Sequence, residues 1–187
     1  MNNILTDDFK YETIVLGAGC FWCAEAVFKM LKGIISVDTG YAGGHKENPI
    51  YEDVSAGTTG HAEVVQIKYN PRIISLDDIF TVFFATHNPT TLNKQGADEG
   101  EQYRSIILYT DEDQKEKAKN FIRKLNLSSK RGKPVVTEVR QLDAFYEAEI
   151  HHKDYYKKHP EQKYCQVVIN PKLNKVKKKF AKLLKTK

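Results

Sequence analysis

The apolar residues of this chain switch between two spacings, and that switching is the strongest constraint on its fold. Residues 11–17, YETIVLG, form a run typical of a buried strand, whereas residues 20–32 repeat apolar side chains at three-and-four spacing up to Gly33. The further predicted strands are 34–42, 61–69, 104–110, 134–142 and 164–170, and the further predicted helices are 75–87 and 111–126. Several helices depart from simple strand–helix–strand order. We therefore expect an α+β two-layer sandwich with a mixed β-sheet, a ferredoxin-like core and long functional loops.

The length and the charge distribution bear on domain organisation. The 187 residues suit one domain, 1–187, with a core at about 11–170 and a basic C-terminal helix at 171–187. The net charge is +5, but residues 172–187 hold eight lysines and no acid, which leaves 21 bases against 24 acids elsewhere. Apolar residues recur in this tail at helical spacing: Leu173, Val176, Phe180, Leu183 and Leu184. We expect a docked terminal helix with a solvated lysine face, and the alternative is a patch for nucleic acid or membrane.

Composition also bears on location. No apolar run approaches the length of a membrane span, and the N-terminus lacks a basic region followed by an apolar one. Three cysteines are too few for a secreted disulfide framework and favour a reducing compartment. We therefore expect a cytoplasmic protein that binds neither a membrane nor nucleic acid. We also expect a monomer.

Two of the three cysteines form a CxxC pair around Phe21 and Trp22, the latter the only tryptophan. Cys20 follows a strand and a glycine-rich turn at the predicted start of a helix, where unpaired amides and the helix dipole stabilise a thiolate. Cys23 lies one turn further, within reach of a disulfide. The alternatives are two buried helix cysteines or a zinc site. Zinc needs four ligands, and a second CxxC is absent, so we expect no metal.

Two glycine-rich loops add acids and tyrosines. Residues 40–65 contain Tyr51 and Glu63, and residues 87–105 contain Asp98 and Tyr103. Neither loop has a phosphate-binding pattern. A lone tryptophan beside a nucleophilic sulfur can form the wall of an apolar pocket, although it can also be an ordinary core residue. An acid in such a loop or strand, considered alone, is most often exposed to solvent, and the same expectation applies to Glu63 and Asp98.

Five separated blocks of the sequence together resemble the A-type peptide methionine sulfoxide reductases. The blocks are GCFWCAEAVF, GYAGG, NPIYEDVSAGTTGHAEVV, HNPTTLNKQGADEGEQYRS and YCQVVINPKL, in the order of that family and spanning about residues 13–174. The resemblance implies a thiol enzyme that reduces the S epimer of methionine sulfoxide, free or in oxidised proteins, without a cofactor. Thioredoxin or a similar dithiol would supply the electrons.

The resemblance also implies residue roles. Cys20 is expected to be the nucleophile, Phe21 and Trp22 the pocket for the substrate methyl group, and Glu63 the acid. Tyr51, Asp98 and Tyr103 would hold the sulfoxide oxygen and nearby water. Attack on a sulfoxide requires a proton donor at its oxygen, so we hypothesise that burial keeps Glu63 protonated.

The product at Cys20 would be a sulfenic acid, which a second thiol must convert into a disulfide. Cys23 is close in sequence, whereas Cys165 matches a C-terminal cysteine of the family but lies in a predicted strand. We slightly prefer Cys23. His151 and His152 are expected on a helix surface.

Two other functions stay open. A thioredoxin-like dithiol exchanger would account for the CxxC pair but not for the acids and tyrosines of the two loops. A binding module that uses the basic tail would account only for the clustered charge.

Overall fold

A six-stranded mixed sheet forms the centre of the protein. The computed structural model describes residues 11–128 and 132–186. The strands are β1 (Glu12–Ala18), β2 (Ile34–Ala42), β3 (Ala62–Tyr69), β6 (Ser105–Tyr109), β7 (Glu138–Gln141) and β8 (Phe145–Glu147), and a separate two-stranded ribbon pairs β4 (Lys94–Gln95) with β5 (Asp98–Glu99). The strand order is β7-β6-β1-β3-β2-β8; β6 and β7 pair in parallel and the other neighbours pair antiparallel. The expected α+β class with a mixed sheet is confirmed.

Six α-helices accompany the strands within the described residues. They are α1 (Phe21–Phe28), α2 (Tyr51–Ser55), α3 (Leu76–Thr86), α4 (Glu112–Leu127), α5 (Tyr155–Lys158) and α6 (Asn170–Lys179). Short 3₁₀ turns lie at Glu101–Tyr103, Ile150–His152 and Ala181–Leu183. The start of α3 carries a capping box, because the Asp78 amide donates to the Ser75 hydroxyl and the Asp78 carboxylate accepts in return from the Ser75 amide.

The main core lies between the sheet and the helices. Alternate side chains of the central strands, including Ile14, Leu16 and Ile67, pack against α1, α3, α4 and α6. The opposite face of the sheet carries a smaller cluster, formed by Val15, Ala42, Ala62, Val64, Ile106 and Leu108. Because β1 and β3 lie side by side at the centre, they place the residues that follow or line them deep in the molecule. No helix in residues 11–128 and 132–186 is long and apolar enough to cross a membrane.

The prediction of a strand at 164–170 is wrong. Residues Cys165–Ile169 form a π-helical turn that continues into α6. The β-branched residues of this segment fit a strand pattern, but Cys165, Ile169, Leu173 and Val176 also recur at helical spacing, and all four are buried in the core. These four side chains pack against the core only if the segment is helical, and this packing outweighs the local preference for a strand.

The predicted C-terminal helix is shorter than expected. It ends at Lys179, because Phe180 leaves the helical conformation, and the Leu184 backbone then pairs with Leu31. Its apolar stripe does dock on the core as expected, while Lys187 lies outside the described residues. The strand expected at 134–142 is also shorter and begins at Glu138.

Candidate active site

Cys20 occupies the turn between β1 and α1, and two glycines shape that turn. Gly19 has a φ of +87°, a conformation that residues with a side chain rarely adopt, and a Cβ there would lie 2.6 Å from the Gln95 side chain. A Cβ on Gly17 would lie 2.7 Å from Ile106. Cys20 is the N-cap residue of α1, as the sequence predicts, and it is buried.

Glu63 reaches this turn from the neighbouring strand β3. Its side chain is 4% exposed, and its Oε2 atom accepts a hydrogen bond of 3.0 Å from the Phe21 N–H, at the first residue of α1. The Phe21 N–H is one of the free amides at the helix start that could donate to a Cys20 thiolate, but it donates to the Glu63 carboxyl group instead. Burial raises the pKa of Glu63 to about 8, against the Phe21 hydrogen bond, and the nearby Asp98 raises it further. Glu63 is mainly protonated at neutral pH.

The structure contradicts the expected stabilisation of a Cys20 thiolate by the helix start. Burial, a hydrogen bond with Cys23 and the proximity of Glu63 raise the pKa of Cys20 well above its usual value. In the substrate-free protein, Cys20 is a thiol next to a protonated acid.

One cavity of about 110 Å³ brings the predicted catalytic and substrate-binding residues together. It is lined by Cys20, Phe21, Trp22, Tyr51, Glu63, Asp98, Tyr103 and Tyr164. Seven of these eight residues were singled out from the sequence, although they come from four separate segments. Burial is the main cause that raises the pKa values of Tyr51 and Tyr103, so both phenols stay protonated and can donate hydrogen bonds.

Sequence reasoning missed Tyr164. Its hydroxyl donates to Asp98 Oδ2 at 2.9 Å and lies 3.8 Å from Cys23 Sγ. It therefore connects the cavity with the second cysteine. Its position directly before Cys165, in a block already used for the resemblance, was the available signal.

Trp22 is held in place by two residues of the 150–158 region. Its Nε1–H donates to His152 Nδ1 at 3.2 Å, and its ring stacks on Tyr155 with centroids 3.7 Å apart and planes at 6°. The expectation of a surface position is wrong for His152, which is 3% exposed, because the 3₁₀ turn Ile150–His152 directs it toward Phe21 and Trp22. His151 is exposed, as expected.

An acidic residue of the same region fixes another wall of the cavity. Glu149 accepts hydrogen bonds from the Tyr51 N–H and from the Tyr41 hydroxyl, both at 2.8 Å. These contacts connect the start of α2 with the turn that carries His152.

A partly buried ionic triad supports Trp22 from behind. Glu25 on α1 is 2% exposed, and its Oε1 accepts from the Lys29 ammonium at 2.8 Å and from the Asp154 amide at 2.9 Å. Lys29 also donates to Asp154 at 2.7 Å. Asp154 has a left-handed φ of +55°, and Tyr155, the residue that stacks on Trp22, follows it directly. The triad thus sets the position of that ring relative to α1.

The two candidate resolving thiols differ in location. Cys23 lies in α1, and it lines a second, very small cavity with Lys172 and Thr86. Cys165 is fully buried in the π-helical turn, and burial raises its pKa. Neither lines the cavity of Cys20. In the part of the chain that the structure describes, no group of three or more His, Cys, Asp and Glu residues is placed to hold a metal ion.

Comparisons with known proteins agree with the resemblance seen in the sequence. The family model described as peptide methionine sulfoxide reductase matches residues 12–184. The chain is 54% identical over 169 residues to the peptide methionine sulfoxide reductase MsrA of Saccharolobus solfataricus, which covers 90% of this chain and 94% of that protein.

Two solved structures extend the comparison. Reduced Mxr1 from Saccharomyces cerevisiae superposes with a TM-score of 0.78 and 34% identity, over 85% of this chain and 91% of that one. Mxr1 in complex with Trx2 superposes with a TM-score of 0.55 and 27% identity, over 82% and 91%.

Replacement of Glu25 tests the support of Trp22. We expect Glu25→Ala to change the fluorescence of Trp22, the only tryptophan, because Asp154 and Tyr155 lose their anchor. KM for a sulfoxide should rise while kcat changes little, and the free energy of unfolding should fall by about 1–2 kcal/mol, since the triad is only partly buried. Glu116→Ala, at an exposed site on α4, is the control. Lower stability with unchanged emission and KM would contradict the positioning role.

Proposed function

The chain belongs to the family of peptide methionine sulfoxide reductases, and we propose that Cys20 and Glu63 carry out its reaction on the S epimer of methionine sulfoxide, free or in proteins. The family's activity is the thiol-dependent reduction of methionine sulfoxide. The observation that supports these roles is a buried thiol and a carboxyl with a pKa of about 8 on one small cavity with an aromatic wall. Phosphate, nucleotide or metal chemistry would need other groups at that place.

The first half of the reaction converts Cys20 into a sulfenic acid. The Cys20 sulfur attacks the sulfoxide sulfur while Glu63 donates a proton to the oxygen; with the thiol proton of Cys20 this oxygen leaves as water, an S–S bond forms and Glu63 becomes a carboxylate. Water then attacks the Cys20 sulfur, the S–S bond breaks, methionine departs and Glu63 takes a proton back, so Cys20–SH and the sulfoxide become Cys20–SOH and methionine with no net proton change. A low dielectric around the cavity strengthens each of these polar contacts.

The remaining cavity residues orient the substrate. Phe21 and Trp22 offer an apolar surface for the methyl group, and the Tyr51 and Tyr103 hydroxyls, with Asp98, offer polar contacts to the oxygen and to water. With the oxygen on the polar side and the methyl on the aromatic side, the rest of the methionine must leave through the opening. Only one configuration at the sulfoxide sulfur meets all three requirements, which is the physical basis we propose for selection of an epimer.

Regeneration requires a second thiol and an external dithiol. A second cysteine condenses with the sulfenic acid of Cys20, which releases water and forms a disulfide. Thioredoxin or a similar dithiol then reduces that disulfide, in line with the yeast Mxr1 structure determined with Trx2. We propose a monomer that acts in the cytoplasm on oxidised proteins and free methionine sulfoxide, without cofactor, metal, nucleic acid or membrane.

The proposed domain organisation is one reductase domain over 1–187, with a catalytic core at about 11–170. We propose that the core is a two-layer sandwich of the ferredoxin-like type. Support comes from the order β6-β1-β3-β2, in which α1 joins β1 to β2 and α3 lies between β3 and β6 in sequence.

Glu63→Gln tests the acid. The variant keeps an oxygen for the Phe21 N–H but has no proton of suitable acidity, so we expect methionine formation in one turnover to slow by roughly 10²- to 10⁴-fold. In the unmodified protein, the rate should fall as pH rises through about 8, because Glu63 loses its proton there. Rapid quench of one turnover at pH 6–10 measures both. A normal rate in the variant would eliminate Glu63 as the acid.

Cys20→Ser tests the nucleophile. A hydroxyl is a far weaker nucleophile toward sulfur, so we expect no methionine even from one equivalent of sulfoxide. Offering the S and R epimers separately to the unmodified protein shows the proposed selection. Methionine release by the serine variant would place the nucleophile at another thiol, and equal use of both epimers would contradict the three-point arrangement.

A further inference from the structure

Cys23 lies close to Cys20 but on a different cavity. Its side chain is 2% exposed, its N–H donates to the Cys20 carbonyl at 3.2 Å, and its sulfur lies 3.8 Å from the Tyr164 hydroxyl. Cysteines three residues apart in a helix turn have a Cα separation within the range that a disulfide spans. The pair can join without a large movement of the backbone.

Lys172 faces Cys23 from the other side. Both line the small cavity of about 10 Å³ under α1, together with Thr86 at the end of α3. Lys172 is partly buried, whereas every other described lysine of the basic tail is exposed. The tail's positive charge is therefore directed inward at this one residue.

In residues 11–128 and 132–186, no carboxylate forms an ion pair with the Lys172 ammonium. A partly buried ammonium needs a negative neighbour, and apart from Lys172 itself Cys23 is the ionisable residue among those that line this small cavity.

We propose that Lys172 holds Cys23 as the thiolate that resolves the Cys20 sulfenic acid, an inference that rests on the proposed function. Lys172 acts as a positioning residue, because it lines the small cavity of Cys23 and not the cavity of Cys20.

The groups around Cys23 support this assignment. They are Cys20, Glu63, Tyr164, Cys165 and Lys172. Lys172 is the only cation among them. The pKa of Cys23 is lowered to about 7, first by the hydrogen bond with the Cys20 thiol and then, against burial, by Lys172 and Tyr164.

Cys165 is the less suitable thiol. Burial raises its pKa, and the proximity of Cys23 and Glu161 raises it further, so it is protonated at neutral pH. Among the described residues, none of the groups that shift the pKa of Cys165 is a cation. A thiol attacks a sulfenic acid far more slowly than a thiolate does.

The step balances in atoms and charge. The Cys23 thiolate attacks the Cys20 sulfur, the S–S bond forms, the S–O bond breaks, and Glu63 gives its proton to the departing hydroxide. Cys20–SOH, the thiolate and protonated Glu63 become the disulfide, water and the Glu63 carboxylate, with one negative charge on each side. The Lys172 ammonium keeps its proton throughout, and solvent later returns a proton to Glu63.

Lys172→Gln tests the proposal, with Lys172→Arg as the rescue and Lys178→Gln, an exposed site on the same helix, as the control. One equivalent of sulfoxide is given without external dithiol, and methionine release and loss of free thiols are followed over pH 6–10. We expect Lys172→Gln to release methionine normally but to lose thiols about threefold more slowly at pH 7. The factor is modest because two effects of a higher Cys23 pKa oppose each other: less of the thiol is ionised at pH 7, but the thiolate that remains is more nucleophilic.

The pH profile separates this role from a merely structural one. In Lys172→Gln, the midpoint of disulfide formation should move from about 7 toward the ordinary thiol range, and above pH 9 the variant should match or exceed the unmodified protein. Lys172→Arg should restore the lower midpoint, and peptide mapping should show Cys20 joined to Cys23. An unmoved midpoint, or a Cys20–Cys165 linkage, would overturn the proposal. Absence of methionine release in the unmodified protein would instead refute the proposed function.

Discussion

The hydrogen bond from the Phe21 N–H to the Glu63 carboxyl is the contact on which the site depends. It joins the first residue of α1 to the middle of the sheet and places a buried acid beside Cys20. Because β1 and β3 are neighbours, the strand before Cys20 and the strand of Glu63 keep a fixed register. The backbone amide would ordinarily favour an ionised carboxylate, but burial outweighs it and the group stays protonated. The fold thus creates a proton donor by removing a carboxyl from water rather than by adding a specific partner.

Helix α1 presents a different chemical environment at each of its first residues. Cys20 and Phe21 face the cavity, Trp22 is stacked between that cavity and Tyr155, and Cys23 faces Lys172 under the helix. Because successive helix residues are rotated by about 100°, Trp22 turns toward Tyr155, whereas Cys20 and Cys23, three residues apart, return to neighbouring positions. Consecutive residues can therefore provide the nucleophile, the substrate wall and a second thiol while sharing one rigid element, which keeps their relative positions constant.

Seven residues that line the cavity could be singled out from the sequence because each left a local signal. The glycine-rich turn before Cys20 and the acids and tyrosines of the two loops are visible in order along the chain, and their five blocks resemble one family. His152 left no such signal, because the sequence does not distinguish an imidazole that supports a tryptophan from one on the surface. The signal for Tyr164 was its position directly before Cys165. The segment 164–170 fits a strand pattern through its β-branched residues and a helical pattern through Cys165 and Ile169, and only packing against α1 and α3 selects the helix.

The effect of a lysine charge in the C-terminal tail depends on where the fold places that lysine. In the sequence, the lysines of the tail form one basic run, and nearly all of them fit the solvated face of a helix. In three dimensions, the turn of α6 directs Lys172 toward a buried cysteine while its neighbours face solvent. An ammonium in water contributes little to any single partner, but beside a buried sulfur the lower dielectric makes the same charge effective. The two cysteines therefore differ in ionisation although they lie one helical turn apart: burial, the hydrogen bond with Cys23 and the nearby Glu63 raise the pKa of Cys20, whereas the hydrogen bond with the Cys20 thiol and then Lys172 lower the pKa of Cys23.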